Sequence, residues 1–457
     1  MGMQRDDMSD TREANAAMDD PQARRIDRMP GAILGYDAAL QRLLAQAAIL
    51  PVETCALSEA SGRILAADLR SPMALPSFDH AAMDGYALAA RGEIAGGTEC
   101  EVQGSQAAGD TRRPHAAGAC EIMTGARLPD GLDAVVPVER TELLASHADG
   151  APSRIRLLQA VQTGQNVRYA GSDVAPGARV ADAGTRVDAS LVMLLAALGI
   201  ARVDVVRRPR VAIICTGKEL QADAGQPLDD DRIHNSNGPY LATALASAGA
   251  QVLGCRTVDD TAVTYADALQ ELLREGVDLV ISTGAVSMGR YDFVPALLRR
   301  LHAEILFHGV AMRPGKPLLC ARLPAGPLLL GMPGTPMAVA VAMRFFVAPL
   351  LRAMQGRVME TNLRAVLDTG HEPKAGLRHF LRGRLHADAD GCLHAALMPQ
   401  QQPYRIHAFS QAQAWIILPE KACACEPGMT VEIASLEAGA PLQVDAFQPG
   451  TTRGEGS

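Results

Sequence analysis

No run of about 18 uninterrupted apolar residues occurs in the 457-residue chain, so the sequence offers no membrane span. A secretory signal is also missing, because the opening segment MGMQRDDMSDTREANAAMDDPQARR is charged throughout. Basic residues are not clustered, the formal net charge is -8 and the pI is near 5.8, which excludes the cationic face that a nucleic-acid backbone requires. Arg207-Arg208 and Arg299-Arg300 are only pairs and read as solvated ends of elements beside a sheet. The nine cysteines are an odd, scattered set without a CxxC pair. They fit a reducing compartment in which most are small buried residues, so a cytoplasmic protein is expected. The one close pair, Cys423 and Cys425, has no Cys or His cluster beside it and reads as alternating strand positions rather than a metal or redox element. No internal repeat is present.

What the chain does have is size and apolar content. Its length exceeds a usual single core, and 48% hydrophobic residues support a folded protein of several domains. Residues 1–30 and 437–457 are polar without apolar period and read as disordered tails that carry no chemistry. Residues 36–47 have helical spacing, and 60–66 begin another ordered element. In 71–150 short apolar runs (85–88, 120–123, 134–138) alternate with Gly, Pro and Asp turns, the pattern of a small β-rich domain. Segments 31–70 and 151–205 make an extended connector, with a helix over 189–198. From 206 to 355 the pattern alternates: strand 211–215, helix 239–248, strand 252–257, helix 265–274, strand 279–282, helix 294–301. A hairpin of 318–322 and 328–331 and a helix over 337–351 follow. Alternation of this kind predicts a doubly wound parallel sheet. Short runs such as 415–418 and 430–433 within 356–436 predict a C-terminal β domain. The expected fold class is therefore multidomain α/β plus β.

Several strand exits in the sheet domain are built from small residues. Ser282-Thr283-Gly284-Ala285 leaves a buried strand with side chains short enough for an anion to reach backbone N–H groups, and a helix starting near Val294 brings its positive end. RPGKP (313–317) and MPGTP (332–336) follow, and ligands of open α/β sheets bind at the carboxyl ends of strands, so one crevice for a phosphorylated small molecule is expected. Thr216-Gly217-Lys218-Glu219 closes the first strand with a hydroxyl, a glycine and a carboxylate, a set suited to phosphate and a hydrated cation. Asp292 leaves the Gly289 turn just before a helix, as an N-cap does. In the β-rich domain, Asp84 sits in a tight Met83-Asp84-Gly85-Tyr86 turn, and Thr124-Gly125-Ala126 exposes a hydroxyl at a strand end.

Eight segments together carry a more specific signal: LPSFDHAAMDGYA (75–87), IMTGARLPDGLDAVVPVE (122–139), NVRYAGSDVAPG (166–177), CTGKEL (215–220), HNSNG (234–238), STGAVSMGRYDFV (282–294), RPGKP (313–317) and MPGTP (332–336). In this order the chain resembles, from about Ile33 to Leu436, the molybdopterin molybdenumtransferase family, the MoeA type that includes the gephyrin E-domain. The resemblance implies elongated homodimers of four domains, the C-terminal one barrel-like, that join molybdate to adenylyl-molybdopterin with Mg²⁺ and release AMP. It implies catalytic roles for Asp84, Thr124, Glu219 and Asp292, with Glu219 and Asp292 holding the metal. Substrate contacts fall on Thr216, Gly217, Ser236, Asn237, Gly284, Ser287, Gly289, Lys316, Pro333, Gly334 and Pro336. Asp84 and Thr124 of one chain then face the sheet domain of the other, and other molybdenum cofactor biosynthesis proteins are implied partners.

The chain departs from the family pattern at six places. Lys218 stands where Asp is usual, Asn235 where Asp precedes Ser-Asn, Ala285 where a second glycine is usual, Thr335 for Asn, Ser172 for Glu, and Gly309 for a common Lys. Two missing carboxylates at 218 and 235 weaken a hydrated Mg²⁺, and Ala285 tilts amides if its turn needs positive φ. These departures motivate a second expectation, a catalytically weakened paralogue that binds molybdopterin as carrier or scaffold. A third, a generic nucleotide-binding α/β protein, leaves the flanking β domains unexplained.

Overall fold

The computed structural model describes residues 33–111, 117–287, 289, 292–324, 326–421 and 424–445. The tail read at 1–30, residues 446–457 and Cys423 lie outside them. The chain divides into two units, Val52–Val206 and the remainder.

In the unit Val52–Val206, the antiparallel pair Val52–Ala56 and Arg202–Val206 packs under the helix Ala189–Ala197. Val203 and Val205 point inward and alternate with exposed Arg202 and Asp204, the two-residue period of a one-faced strand. Asp188 caps the helix, its carboxylate accepting the Leu191 N–H at 2.9 Å. Between these ends lies a curled sheet of six strands, in the spatial order Ala134–Pro137, Gly85–Leu88, Ala119–Ile122, Glu99–Gln106, Pro152–Leu157, Thr141–Ser146. Its curl lets both faces be buried: Tyr86 and Leu88 enter one cluster with Val136 and Ile155, while Ala87 enters the other with Ile122 and Val135.

The second unit holds a six-stranded sheet in the order Gln251–Val258, Arg210–Thr216, Leu279–Thr283, Leu328–Met332, Leu319–Arg322, Glu304–His308. The first four strands pair in parallel; Leu319–Arg322 runs opposite to them, and Glu304–His308 pairs antiparallel with it at the edge. Val211, Ile213 and Cys215 face a core shared with the helices Asn237–Ser247 and Pro336–Ala342, and Ala212 and Ile214 face one shared with Ala262–Arg274 and Val294–Arg300. This is the doubly wound arrangement expected from the alternation. The strand Glu304–His308 has no expectation behind it, and Arg207 is no solvated end, since its guanidinium pairs with half-buried Asp278 through bonds of 2.9 and 3.0 Å. The helix Tyr36–Leu44 contributes Tyr36, Ala39 and Leu43 to the first of these cores.

Pro336–Met354 is a continuous 19-residue helix with a π-helical segment at Met343–Val347. It is long and apolar enough to cross a bilayer, yet 83% of its apolar window is buried inside the fold, as a core helix is. Beyond it, five strands close into a barrel: Arg378–Ala387, Leu393–Leu397, Leu363–Leu367, Thr430–Ser435 and Ala414–Leu418, the last pairing back onto the first. Ile416 packs over Gly383, where a Cβ would meet its Cδ1 at 2.5 Å. Residues 437–445, which polar composition assigns to a tail, follow the barrel: Asp445 N–H donates to Leu385 O at 2.9 Å, and Asp445 Oδ1 accepts from Gln413 Nε2 at 2.7 Å.

Candidate functional site

The parallel strands run outward in both directions from the junction of Arg210–Thr216 and Leu279–Thr283, which makes that junction the topological switch point. The pairs Cys215↔Thr283 and Thr283↔Met332 level the strand ends, so the turns at Gly217, Gly284 and Gly334 leave the sheet side by side. Gly284 has φ +90, and a Cβ on it would lie 2.5 Å from the Thr216 carbonyl oxygen; a Cβ on Gly334 would lie 3.8 Å from Gly284 Cα. At Gly284 only a bare backbone fits, while the Gly334 turn comes to ordinary van der Waals distance of it. Lys316 precedes Leu319, which pairs with Gly331, so its exposed side chain stands at the same edge.

Thr216 is buried, and its hydroxyl donates to Asp260 Oδ1 at 2.7 Å; Asp260 Oδ2 accepts the Lys218 N–H at 3.3 Å. The sequence reading missed Asp260, although an Asp pair directly after the strand Gln251–Val258 was the available signal. Glu219 is exposed and folds back over Gly217, where a Cβ would meet its Oε1 at 2.7 Å, and its carboxylate makes no hydrogen bond to a described residue.

Asn237 Nδ2 donates to Gly334 O at 2.8 Å, tying the helix Asn237–Ser247 to the Pro333-Gly334-Thr335-Pro336 turn. Ser236 occupies the N-cap position without a side-chain bond; buried Asn235 serves instead, accepting the Gly238 N–H and donating to Thr257 Oγ1, both at 3.0 Å. Asp292 does not cap its helix. Oδ2 turns back to accept the Gly289 N–H at 2.6 Å, and the helix Val294–Arg300 starts at Phe293 with no side-chain cap. Ser287 and Gly289 are exposed. Ala285 has φ +51, so this turn does place a non-glycine residue in the left-handed region.

In the unit Val52–Val206, Asp84 and Thr124 form a pair of their own. Asp84 Oδ1 accepts the Thr124 N–H at 2.6 Å and the Thr124 hydroxyl at 2.7 Å. These bonds, the backbone one first, hold the exposed Asp84 carboxyl below the usual aspartate range. Gly85 fixes the turn, since a Cβ there would lie 1.9 Å from Val136 O.

A switch-point row of glycine turns, flanked by the Glu219 carboxylate and Lys316, is the arrangement in which α/β proteins hold anionic, phosphate-bearing ligands. Three family models cover nearly the whole described chain: the MoeA N-terminal region (domain I and II) at 34–199, the probable molybdopterin binding domain at 212–353, and the MoeA C-terminal region (domain IV) at 364–436. The chain therefore belongs to the MoeA family. Relatives include the molybdopterin molybdenumtransferases of Synechococcus elongatus, 35% identical over 88% of this chain and 100% of the relative, and of Bacillus subtilis, 33% identical over 83% and 89%. The structure of the molybdopterin biosynthesis MoeA protein from Pyrococcus horikoshii superposes with a TM-score of 0.72 at 26% identity, covering 88% of this chain and all of that one.

Proposed function

We propose that this protein is a molybdopterin molybdenumtransferase that joins molybdate to adenylyl-molybdopterin and releases AMP. The observation that carries the reading is the level row of turns at Gly217, Gly284 and Gly334, braced by the Thr216–Asp260 bond, at the switch point of the sheet in a chain with relatives that bear that name. The Gly217 and Gly284 N–H groups donate to Val258 O and Met332 O, so the remaining backbone N–H groups of these turns meet the phosphoryl oxygens, and Lys316 neutralises their charge. Ser236, Ser287, Gly289, Pro333 and Pro336 frame the same ligand.

Mg²⁺ fits the donor set. The ion takes one or two carboxylates and keeps its remaining positions for water and phosphate; among the described residues Glu219 accepts no hydrogen bond, and Asp292 accepts one, on Oδ2 from Gly289. When bound, it supplies charge neutralisation at the phosphoryl oxygens. The departures at 218 and 235 cost this site little. Asn235 is a buried structural amide, and Lys218 serves through its backbone N–H. The reading includes a homodimer in which Asp84 and Thr124 of a second copy complete the cleft, and a cytoplasmic setting, supported by nine cysteines without a CxxC pair.

The test mixes purified protein with adenylyl-molybdopterin, molybdate and Mg²⁺. AMP release with molybdenum retained on the pterin is expected. Pterin binding with adenylate left intact would reduce the protein to a carrier, and no pterin binding would remove the family activity altogether.

A further inference from the structure

The barrel carries a cluster that the transferase reading does not use. Leu367, Leu385 and Ala395 are fully buried in its core, so the strand period turns their neighbours Asp368, His386 and His394 to the outer surface. Register then brings them together. His386 pairs directly with His394 across adjacent antiparallel strands, and Val366 pairs with His394 on the other side, which sets Asp368 beside both rings. His394 Nδ1 lies 2.9 Å from Asp368 Oδ1, His386 Nδ1 lies 3.6 Å from Asp368 Oδ2, and the imidazoles stack at 5.1 Å between centroids. One ligand atom from each of the three residues lies within 4.8 Å of the others.

We propose that Asp368, His386 and His394 form a binding site for a borderline divalent transition metal of the Zn²⁺ class on the outer face of the barrel. Tetrahedral Zn²⁺ with bonds near 2.0–2.2 Å spaces its ligand atoms about 3.4 Å apart, so small side-chain rotations convert this cluster into three ligands with further positions left for water. Imidazole with carboxylate is a donor set that favours Zn²⁺, Co²⁺ or Ni²⁺ over Mg²⁺.

The outer shell is also in place. Asp388 Oδ1 accepts the N–H groups of Asp390 at 3.0 Å and Cys392 at 2.8 Å, which fixes the turn, and Oδ2 lies 3.2 Å from His394 Nε2. A proton held on Nε2 by Asp388 leaves Nδ1 as the lone-pair nitrogen facing Asp368, the tautomer that a metal needs. Binding releases whatever proton the cluster carries between His394 Nδ1 and Asp368.

Tag-free full-length protein, stripped with a chelator and dialysed, is titrated with Co²⁺ and followed by its visible ligand-field absorption; Zn²⁺ is then added in competition. Saturation at one equivalent per chain and bleaching by Zn²⁺ are expected. Asp368→Asn, His386→Gln and His394→Gln should each weaken binding more than tenfold. Asp388→Asn, which reaches the metal only through His394, should weaken it about 10- to 100-fold. Glu219→Gln should leave the stoichiometry unchanged. The assignment is overturned by absence of saturable binding, which leaves a hydrogen-bonded cluster only. It is equally overturned by undiminished affinity in folded His394→Gln and Asp368→Asn proteins, or by loss of the metal in Glu219→Gln.

Discussion

Asp260 holds the buried hydroxyl of Thr216 with one carboxylate oxygen and the backbone N–H of Lys218 with the other, at 2.7 and 3.3 Å. A single side chain thus bridges the two ends of the Gly217 turn and braces it. Asp260→Ala leaves the Thr216 donor buried and unpaired, a cost of about 1–3 kcal/mol. We expect a lower urea midpoint and a loss of roughly tenfold or more in kcat/KM for AMP release. Wild-type values for both would remove Asp260 from the site.

The Asp84 carboxyl should titrate below ordinary aspartates. Its pKa is depressed in the folded state, so its contribution to stability is present above the unfolded pKa and is lost as pH falls through the folded one; it is flat near neutrality. Thr124→Val removes the hydroxyl bond and keeps the N–H bond, which raises the Asp84 pKa only part of the way. Carboxyl-carbon NMR titration of the two proteins reads this directly, and identical titration midpoints would contradict it.

Gly85 and Ala285 make opposite predictions. Gly85→Ala drives a methyl to 1.9 Å from Val136 O, so the curled sheet must move, at a cost of roughly 3 kcal/mol. Ala285→Gly relieves a left-handed alanine at φ +51 and should stabilise by up to about 1 kcal/mol, with no loss of activity. Denaturant melts of both variants provide the comparison, and a destabilised Ala285→Gly would show that the methyl has a packing role.

The proposed homodimer, with Asp84 of one copy completing the cleft that holds Asp292 of the other, has a mixing test. Asp84→Ala and Asp292→Ala proteins are each expected to be inactive; unfolded and refolded together, they should recover roughly a quarter of the wild-type rate, because half of the dimers then carry one intact site of two. No recovery would place both carboxylates in one chain's own site or in none.

Much of this was legible from residue order. The strands Arg210–Thr216 and Leu279–Thr283 are buried on both faces, so they appear as apolar runs that need no pairing information to be recognised. The edge strand Glu304–His308 has mixed exposure and left no such trace. Arg378–Ala387 was hidden by Arg382, a cation only 1% exposed whose guanidinium is satisfied by the carbonyls of Gln400, Gln402 and Arg405, partners that only the folded chain supplies. At the site, glycine turns were readable from composition. The bond partners of Asp260 and the backward turn of Asp292 depend on tertiary geometry.

The long helix Pro336–Met354 draws on two sets of neighbours at once. Its N-terminal half packs with sheet residues such as Leu330 and Ile281, and its phenylalanines Phe345 and Phe346 sit in one cluster with Phe380, Trp415 and Ile417 of the barrel. Neither sheet nor barrel can lose its fold without exposing apolar residues of this helix. Heating the protein should therefore melt both in a single calorimetric step, reported by the lone tryptophan's fluorescence, Trp415.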